Sequence, residues 1–147
     1  MIEVALGFDY GSRKIGVAVG RASTRNAEGI ATISCNPKTI LWSTINELID
    51  LWQPDTLVVG LPFTSNRTES KTTGFARKFG EDLDLRFNLL VCFVDETLTT
   101  DYADAIIREE TRSGKRITSR RKSIRDKLAA ELILMTFFNE HKNAKTR

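Results

Sequence analysis

Histidine is almost missing from this chain: His141, in a polar stretch near the C-terminus, is the only one in 147 residues. Without a histidine base elsewhere, Ser-His and Cys-His nucleophile pairs are excluded, and any catalysis falls to carboxylates. Cysteine is scarce too. Cys35 and Cys92 lie in apolar runs, with no CxxC spacing and no cluster of other ligands beside them, which argues against a zinc site and for buried, reduced thiols. No run of about 18 apolar residues occurs, so a membrane-spanning helix is not expected. The opening MIEVALGFDYGSRK carries Glu3 and Asp9 where a signal peptide would be basic and then apolar. The expectation is a cytoplasmic protein with no membrane partner.

Hydrophobic residues make up 41% and charged residues 28% of the chain, the composition of a globular protein, and the length suits a single domain over residues 1–147. The net charge is only +3, but it is unevenly spread. Residues 108–127, REETRSGKRITSRRKSIRDK, hold nine Lys or Arg against three acids, a local +6 that leaves −3 on the rest. Such a run is either a solvated charged face or a contact for a polyanion.

Hydrophobic periodicity gives the element order. Glu3 to Asp9 and Lys14 to Gly20 read as strands joined by a turn at Tyr10-Gly11-Ser12-Arg13, and Gly29 to Cys35 as a third strand completing an antiparallel meander. Thr39 to Trp52 has helical spacing and stops at Pro54. TLVVG, residues 56–60, reads as a buried parallel strand that opens into Gly60-Leu61-Pro62, a turn that could also shape a cleft wall. A helix is expected over Glu69 to Leu83 with Phe75, Phe79 and Leu83 inward, then a strand over Asn88 to Val94. A short helix follows Thr99-Thr100 as far as Arg108. The last helix is capped by Ser123, with Ile124, Leu128, Leu132, Met135 and Phe138 inward. Residues 108–124 are expected to form a basic mobile loop, and 142–147 a fraying tail. The result is an α/β fold: a five-stranded mixed sheet, an antiparallel three-strand meander plus two parallel strands, with helices on both faces.

Acids end three apolar elements: Asp9 after the first strand, Asp95-Glu96 after the fifth, and Asp126 in the opening turn of the last helix. Each alone is explained as a turn former or a helix-dipole partner. Together they can enter one cleft if strands one and five are neighbours and the last helix covers that face. Clustered carboxylates repel unless a cation neutralises them or their pKa values rise. An oxygen-only donor set suits Mg²⁺ or Mn²⁺, and two such ions about 4 Å apart support phosphodiester hydrolysis. Side chains alternate along a strand, so only one of Asp95 and Glu96 is expected in the cleft unless the strand has already ended.

The basic segment would supply the other half of such a site, holding the phosphate backbone that carboxylates repel. Arg112, Lys115, Arg116, Arg120, Arg121 and Lys122 are the candidate contacts there, and Arg13 and Lys14 those in the hairpin. Gly11 either lets the hairpin approach a phosphate or simply serves the turn. The segment has no aromatic side chain to stack on bases, which points to backbone gripping of a structured RNA or branched DNA without sequence readout.

GFDYGSRKIGVAVG, VVGLP, FVDETLTTDYA and IRDKLAAELIL, in this order along residues 7 to 134, resemble the DxG hairpin, middle strand, D-E-x-x-T-T segment and closing helix of the YqgF (RuvX) family of Holliday junction resolvase-like proteins. The resemblance implies an RNase H-like fold and a metal-dependent nuclease, with Asp9, Glu96 and Asp126 as the matching acidic positions. It also implies a part in maturation of the 5′ end of pre-16S rRNA. The chain departs from the family pattern in two places. Thr97 stands where Arg usually follows the D-E pair, and Phe63-Thr64-Ser65-Asn66-Arg67 stands where glycines usually follow G-L-P.

The reading that follows is a Mg²⁺- or Mn²⁺-dependent endonuclease, monomeric or a weak homodimer, most simply one that matures pre-16S rRNA. Two alternatives accompany it: a Holliday junction resolvase, which must pair its sites, and a non-catalytic nucleic-acid-binding factor in transcription or ribosome assembly. A phosphotransferase of the actin-like superfold, which shares a D-x-G hairpin, would need a second domain that this length does not supply.

Overall fold

The computed structural model describes residues 2–11, 13–34, 40, 42–63, 66, 68–96 and 119–145, with the side chains of the last helix described over 126–141. The described elements are β1 (Val4–Tyr10), β2 (Lys14–Arg21), β3 (Asn26–Ser34), α1 (Trp42–Trp52), β4 (Thr56–Leu61), α2 (Lys71–Phe87), β5 (Leu90–Asp95) and α3 (Ser119–Lys145). They form a five-stranded sheet in the order β3-β2-β1-β4-β5, with β1–β2 and β2–β3 antiparallel and β1–β4 and β4–β5 parallel. The expected mixed sheet is therefore present, and its parallel ends after Val59 and Val94 lie side by side, Gly60 pairing with Val94.

Strands one and five are not neighbours, so the condition under which the acids would share one cleft is not met by strand pairing. β4 separates them because all six of its residues are buried, whereas β5 is only partly covered. A strand that is apolar on both faces takes the interior position and leaves the half-exposed one at the edge. The distance this opens between the first and fifth strands is bridged by Glu96, as described below.

Large and small residues alternate along the central strands, and this decides which helices cover which face. Leu6, Phe8 and Tyr10 of β1 and Ile15, Val17 and Val19 of β2 form one face and pack with Ile45 of α1 and Ala76, Phe79 and Leu83 of α2. Phe79 lies edge-on to Phe8 and stacks on Tyr10 and Trp42, the ring centroids being 5.1–5.7 Å apart. The opposite face offers Ala5, Ala18 and Val58, and is covered by Ala130, Ile133, Leu134, Phe137 and Phe138 of α3. Glycines pave much of it. A Cβ placed on Gly7 would stand 2.6 Å from Leu134 Cγ and one on Gly20 2.7 Å from the Phe138 ring, so the helix rests directly on the sheet backbone.

The helices differ from expectation in detail. α2 starts at Lys71, where Ser70 and Thr73 form a reciprocal capping box, and ends at Asn88 in the left-handed conformation at φ 53°. The Thr73 hydroxyl also donates to the Pro62 carbonyl, tying α2 to the end of β4. Phe75 is half exposed and the buried stripe is Thr73, Ala76, Phe79, Gly80 and Leu83. Successive four-residue steps drift 40° around a 3.6-residue helix, which carries Phe75 off the face that Leu83 occupies. α3 begins at Ser119, so Ser123 lies inside the helix and residues 119–124 are not loop; the helix also runs through most of the expected tail, to Lys145. Its buried side is Ala129, Ala130, Ile133, Leu134, Phe137 and Phe138, with Met135 exposed and Leu128 and Leu132 only partly covered. The glycines of the sheet give Leu134 and Phe138 room to seat directly on its backbone, which fixes this face of the helix inward. The expected helix after Thr99-Thr100 and residues 108–118 of the expected loop lie outside the described residues.

Candidate active site

Asp9 sits one residue from the end of β1, on the α3 face, where the alternation places Ala5 and Gly7 before it. Its partner across the β1–β2 ladder is Gly16. On its other side Phe8 pairs with Val59 of β4, so Gly60 follows alongside Asp9. The acid is thus flanked on both neighbouring strands by residues without side chains.

Each of those glycines admits another acidic residue. A Cβ on Gly16 would stand 2.2 Å from the backbone oxygen of Asp126 and 3.1 Å from its Cβ. The opening half of α3 therefore presses onto β2 immediately next to Asp9. A Cβ on Gly60 would stand 2.6 Å from Glu96 Oε2 and 2.5 Å from Ile133 Cδ1. Glu96 extends the β4–β5 ladder by one residue, its amide donating to Leu61 O at 3.1 Å. The alternation therefore continues past Asp95. Val91 and Phe93 face the α1–α2 core and Cys92 and Val94 the α3 face, so Asp95 falls on the first side and Glu96 on the second. The choice between these two acids resolves to Glu96.

Glu96 is 2% exposed, a rare state for a carboxylate. Burial, the negative charge of Asp9, a side-chain hydrogen bond with Asp9 and the charge of Asp95, in that order, push its pKa up to about 10. Near neutral pH the cation-free protein holds Glu96 as a neutral acid hydrogen-bonded to Asp9. One proton then does what a cation would do in a cluster of oxygen donors. Among the described residues no three His, Cys, Asp or Glu side chains are grouped closely enough to hold an ion as they stand. Asp9 and Glu96 are in direct contact, and Asp126 is brought beside them by its backbone at Gly16.

The expected basic contacts divide by position. Arg13 is exposed at the hairpin tip and Lys14 is partly buried at the start of β2, both beyond the Asp9 end of the ladder. Gly11 is explained by the hairpin itself: its amide donates to Lys14 O at 2.9 Å, and a Cβ there would stand 2.7 Å from that oxygen. Arg120, Arg121 and Lys122 belong to the opening turns of α3, within two turns of Asp126, and their side chains lie outside the described residues. Arg112, Lys115, Arg116 and Thr97 also lie outside them, as do positions 64, 65 and 67 of the Phe63–Arg67 departure; Phe63 itself bridges to Glu69.

The sequence pattern alone singles out Gly60 only as part of a turn that could shape a cleft wall, and does not single out Gly16 at all. Their signal was available in the alternation, because both fall on the same face as Asp9 once the register is known. No helix among the described residues is long and apolar enough to cross a membrane.

Comparison with known proteins bears on this geometry. The RuvX family, described as Holliday junction resolvase, matches residues 3–140. A relative from Aeromonas hydrophila, named "Putative pre-16S rRNA nuclease", is 43% identical over 135 residues, covering 92% of this chain and 94% of the relative. One of the same name from Dechloromonas aromatica is 42% identical, covering 90% and 88%. Among solved structures, Thermus thermophilus RuvC in complex with a Holliday junction substrate superposes with a TM-score of 0.57 at 16% identity, covering 95% of this chain and 96% of that one. That likeness shows a shared fold.

Proposed function

This chain belongs to the RuvX family, and from that premise we propose that it is a divalent-metal-dependent endonuclease acting in 5′-end maturation of pre-16S rRNA. The observation that carries the chemistry is Glu96, buried against Asp9 over the Cβ-less Gly60. A buried acid held against a partly buried one, with a third nearby, is costly to keep for structure alone, since an apolar residue of similar volume at position 96 would stabilise the fold more. The choice of RNA is supported by the names of relatives that align over nearly their whole length.

The residues present fit a hard divalent cation. The donor set is carboxylate oxygen only, and the missing side chains of Gly16 and Gly60 are what let Asp126 and Glu96 come in beside Asp9. Asp9, Glu96 and Asp126 would hold Mg²⁺ or Mn²⁺, which when bound supplies an activated water and charge neutralisation at the phosphoryl group. With a cation held there, Glu96 would be ionised, its proton passing to solvent, and would no longer donate to Asp9. Ile133 and the α3 face shut bulk water from the rear of the site. Arg13, Lys14 and the basic residues Arg112, Lys115, Arg116, Arg120, Arg121 and Lys122 hold the phosphate backbone in register without reading bases. We place this activity in the cytoplasm, in a monomer or weak homodimer.

The test is cleavage of a precursor RNA fragment that spans the 5′ end of 16S rRNA, with a synthetic four-way DNA junction in parallel. Wild type is expected to cut the RNA only with Mg²⁺ or Mn²⁺, and Asp9→Asn to bind it without cutting. The family description favours the junction as the second substrate, and preferential symmetrical cutting of the junction would replace the RNA reading with a resolvase acting as a paired dimer. Salt-sensitive binding with no cutting of either would leave a non-catalytic binding factor.

A further inference from the structure

We propose that Glu131 is a positioning residue that sets the placement of α3 on the sheet and thereby delivers Asp126 to Asp9. The β2–β3 ladder shifts register between Val17 and Ala18: Val17 pairs with Ala31 but Ala18 with Gly29, which leaves Ile30 as the extra residue of a bulge. At that irregularity the Gly29 amide donates to Glu131 Oε1 at 2.7 Å, joining residues 102 apart in sequence. Gly29 is also a point of close approach, since a Cβ there would stand 2.5 Å from Lys127 Cβ and 3.2 Å from Glu131 Oε1. The bulge thus turns an edge-strand amide toward α3, and the missing side chain lets the helix reach it.

The remaining described packing of α3 is largely apolar. Leu134 on Gly7, Ile133 on Gly60 and Phe138 on Gly20 are dispersion contacts that tolerate small slides along the axis. A charge-assisted hydrogen bond to a backbone amide does not, because it weakens steeply with distance and angle. Glu131 lies five residues beyond Asp126, about 7.5 Å along the helix axis. Between the Gly16 contact at Asp126 and the Gly29 contact at Glu131, the helix is held at two points on adjacent strands. Releasing the second removes one of these two points, so that this half of α3 shifts on the sheet and carries Asp126 with it relative to Asp9. The consequence for metal binding rests on the hydrolase reading above; the placement of α3 does not.

Two substitutions and a control separate anchoring from general stability. Glu131→Ala removes the acceptor, Glu131→Gln keeps an oxygen that can accept from Gly29, and Phe138→Leu loosens the far end of α3, about 18 Å from Asp126. In cation-free protein, amide hydrogen exchange over residues 124–132 is expected to quicken about tenfold in Glu131→Ala relative to residues 136–141. It should stay near wild type in Glu131→Gln, and Phe138→Leu should reverse the pattern. In calorimetric Mn²⁺ titration, Glu131→Ala should raise the Kd about tenfold, with the other two substitutions within about threefold of wild type. Uniform exchange along α3 in Glu131→Ala, or equal loss of Mn²⁺ affinity in Phe138→Leu, would overturn the assignment. Absence of Mn²⁺ binding in wild type would instead sink the hydrolase reading, while the exchange pattern would still decide whether Glu131 anchors the helix.

Discussion

Glu96 touches Asp9 although a whole strand lies between β1 and β5. The contact exists because β4 contributes Gly60 at that point, and the Glu96 carboxylate occupies the space where a Cβ would be. The site is thus built by omission: two glycines flank one acid, and a second and third acid enter over them. This makes the glycines as informative to mutate as the acids.

Gly60→Ala and Gly16→Ala should separate in a defined way. The new methyl at position 60 meets the movable ends of Glu96 and Ile133, whereas at position 16 it meets the Asp126 backbone at 2.2 Å. Gly60→Ala should therefore cost about 1 kcal/mol of stability yet lose most of the cleavage, because Glu96 must leave its place. Gly16→Ala should cost about 3 kcal/mol, since α3 itself must lift. Urea unfolding and single-turnover cleavage, measured on both variants, check the contrast.

Glu96 makes the cation-free fold pH-sensitive in a predictable direction. Its folded pKa, about 10, is raised above its unfolded value. The associated stability is complete below the unfolded carboxylate pKa of about 4.3 and declines as pH rises toward the folded value, because the unfolded chain ionises first. Melting temperature in EDTA should fall between about pH 6 and pH 9, apart from other titrations, and Glu96→Gln should flatten that fall while abolishing cleavage. A Glu96→Gln protein with the same pH slope as wild type would show that the group ionises normally.

Mg²⁺ should stabilise the protein more at high pH than at low pH, since binding must displace the Glu96 proton. The rise in melting temperature on adding saturating Mg²⁺ is expected to be larger near pH 9 than near pH 6, and absent in Asp9→Asn. Differential scanning fluorimetry over a pH series reads this directly.

The opening turns of α3 should contribute affinity without specificity. Replacing Arg120, Arg121 and Lys122 with Gln should weaken RNA binding and lower the slope of log K against log salt by about 2 if those side chains each neutralise a phosphate. Filter binding across a salt series on two unrelated sequences should show the same loss for both. A loss confined to one sequence would mean base readout.

Much of the architecture was legible in the sequence because alternation of large and small residues and the placement of Gly, Pro and Asx residues act locally. The meander, the buried fourth strand and the acid-bearing strand ends all followed from such patterns. What did not follow depended on contacts remote in sequence. The interposition of β4 between β1 and β5 is decided by which strand can afford burial on both faces. The rotation of α3 is decided by glycines on other strands that receive Ile133, Leu134 and Phe138, so the stripe through Leu128, Leu132 and Met135 lies off the sheet. Asp95 and Glu96 could be told apart only from the hydrogen bond that extends the ladder to Glu96.

The convergence of Asp9, Glu96 and Asp126 on one cation is tested most directly by the anomalous difference map of crystals grown with Mn²⁺. The predicted result is a peak with a carboxylate oxygen from each of these three residues at roughly 2.2 Å. A peak held by other side chains, or one that leaves Asp126 out of reach while Glu96 stays hydrogen-bonded to Asp9, would contradict it.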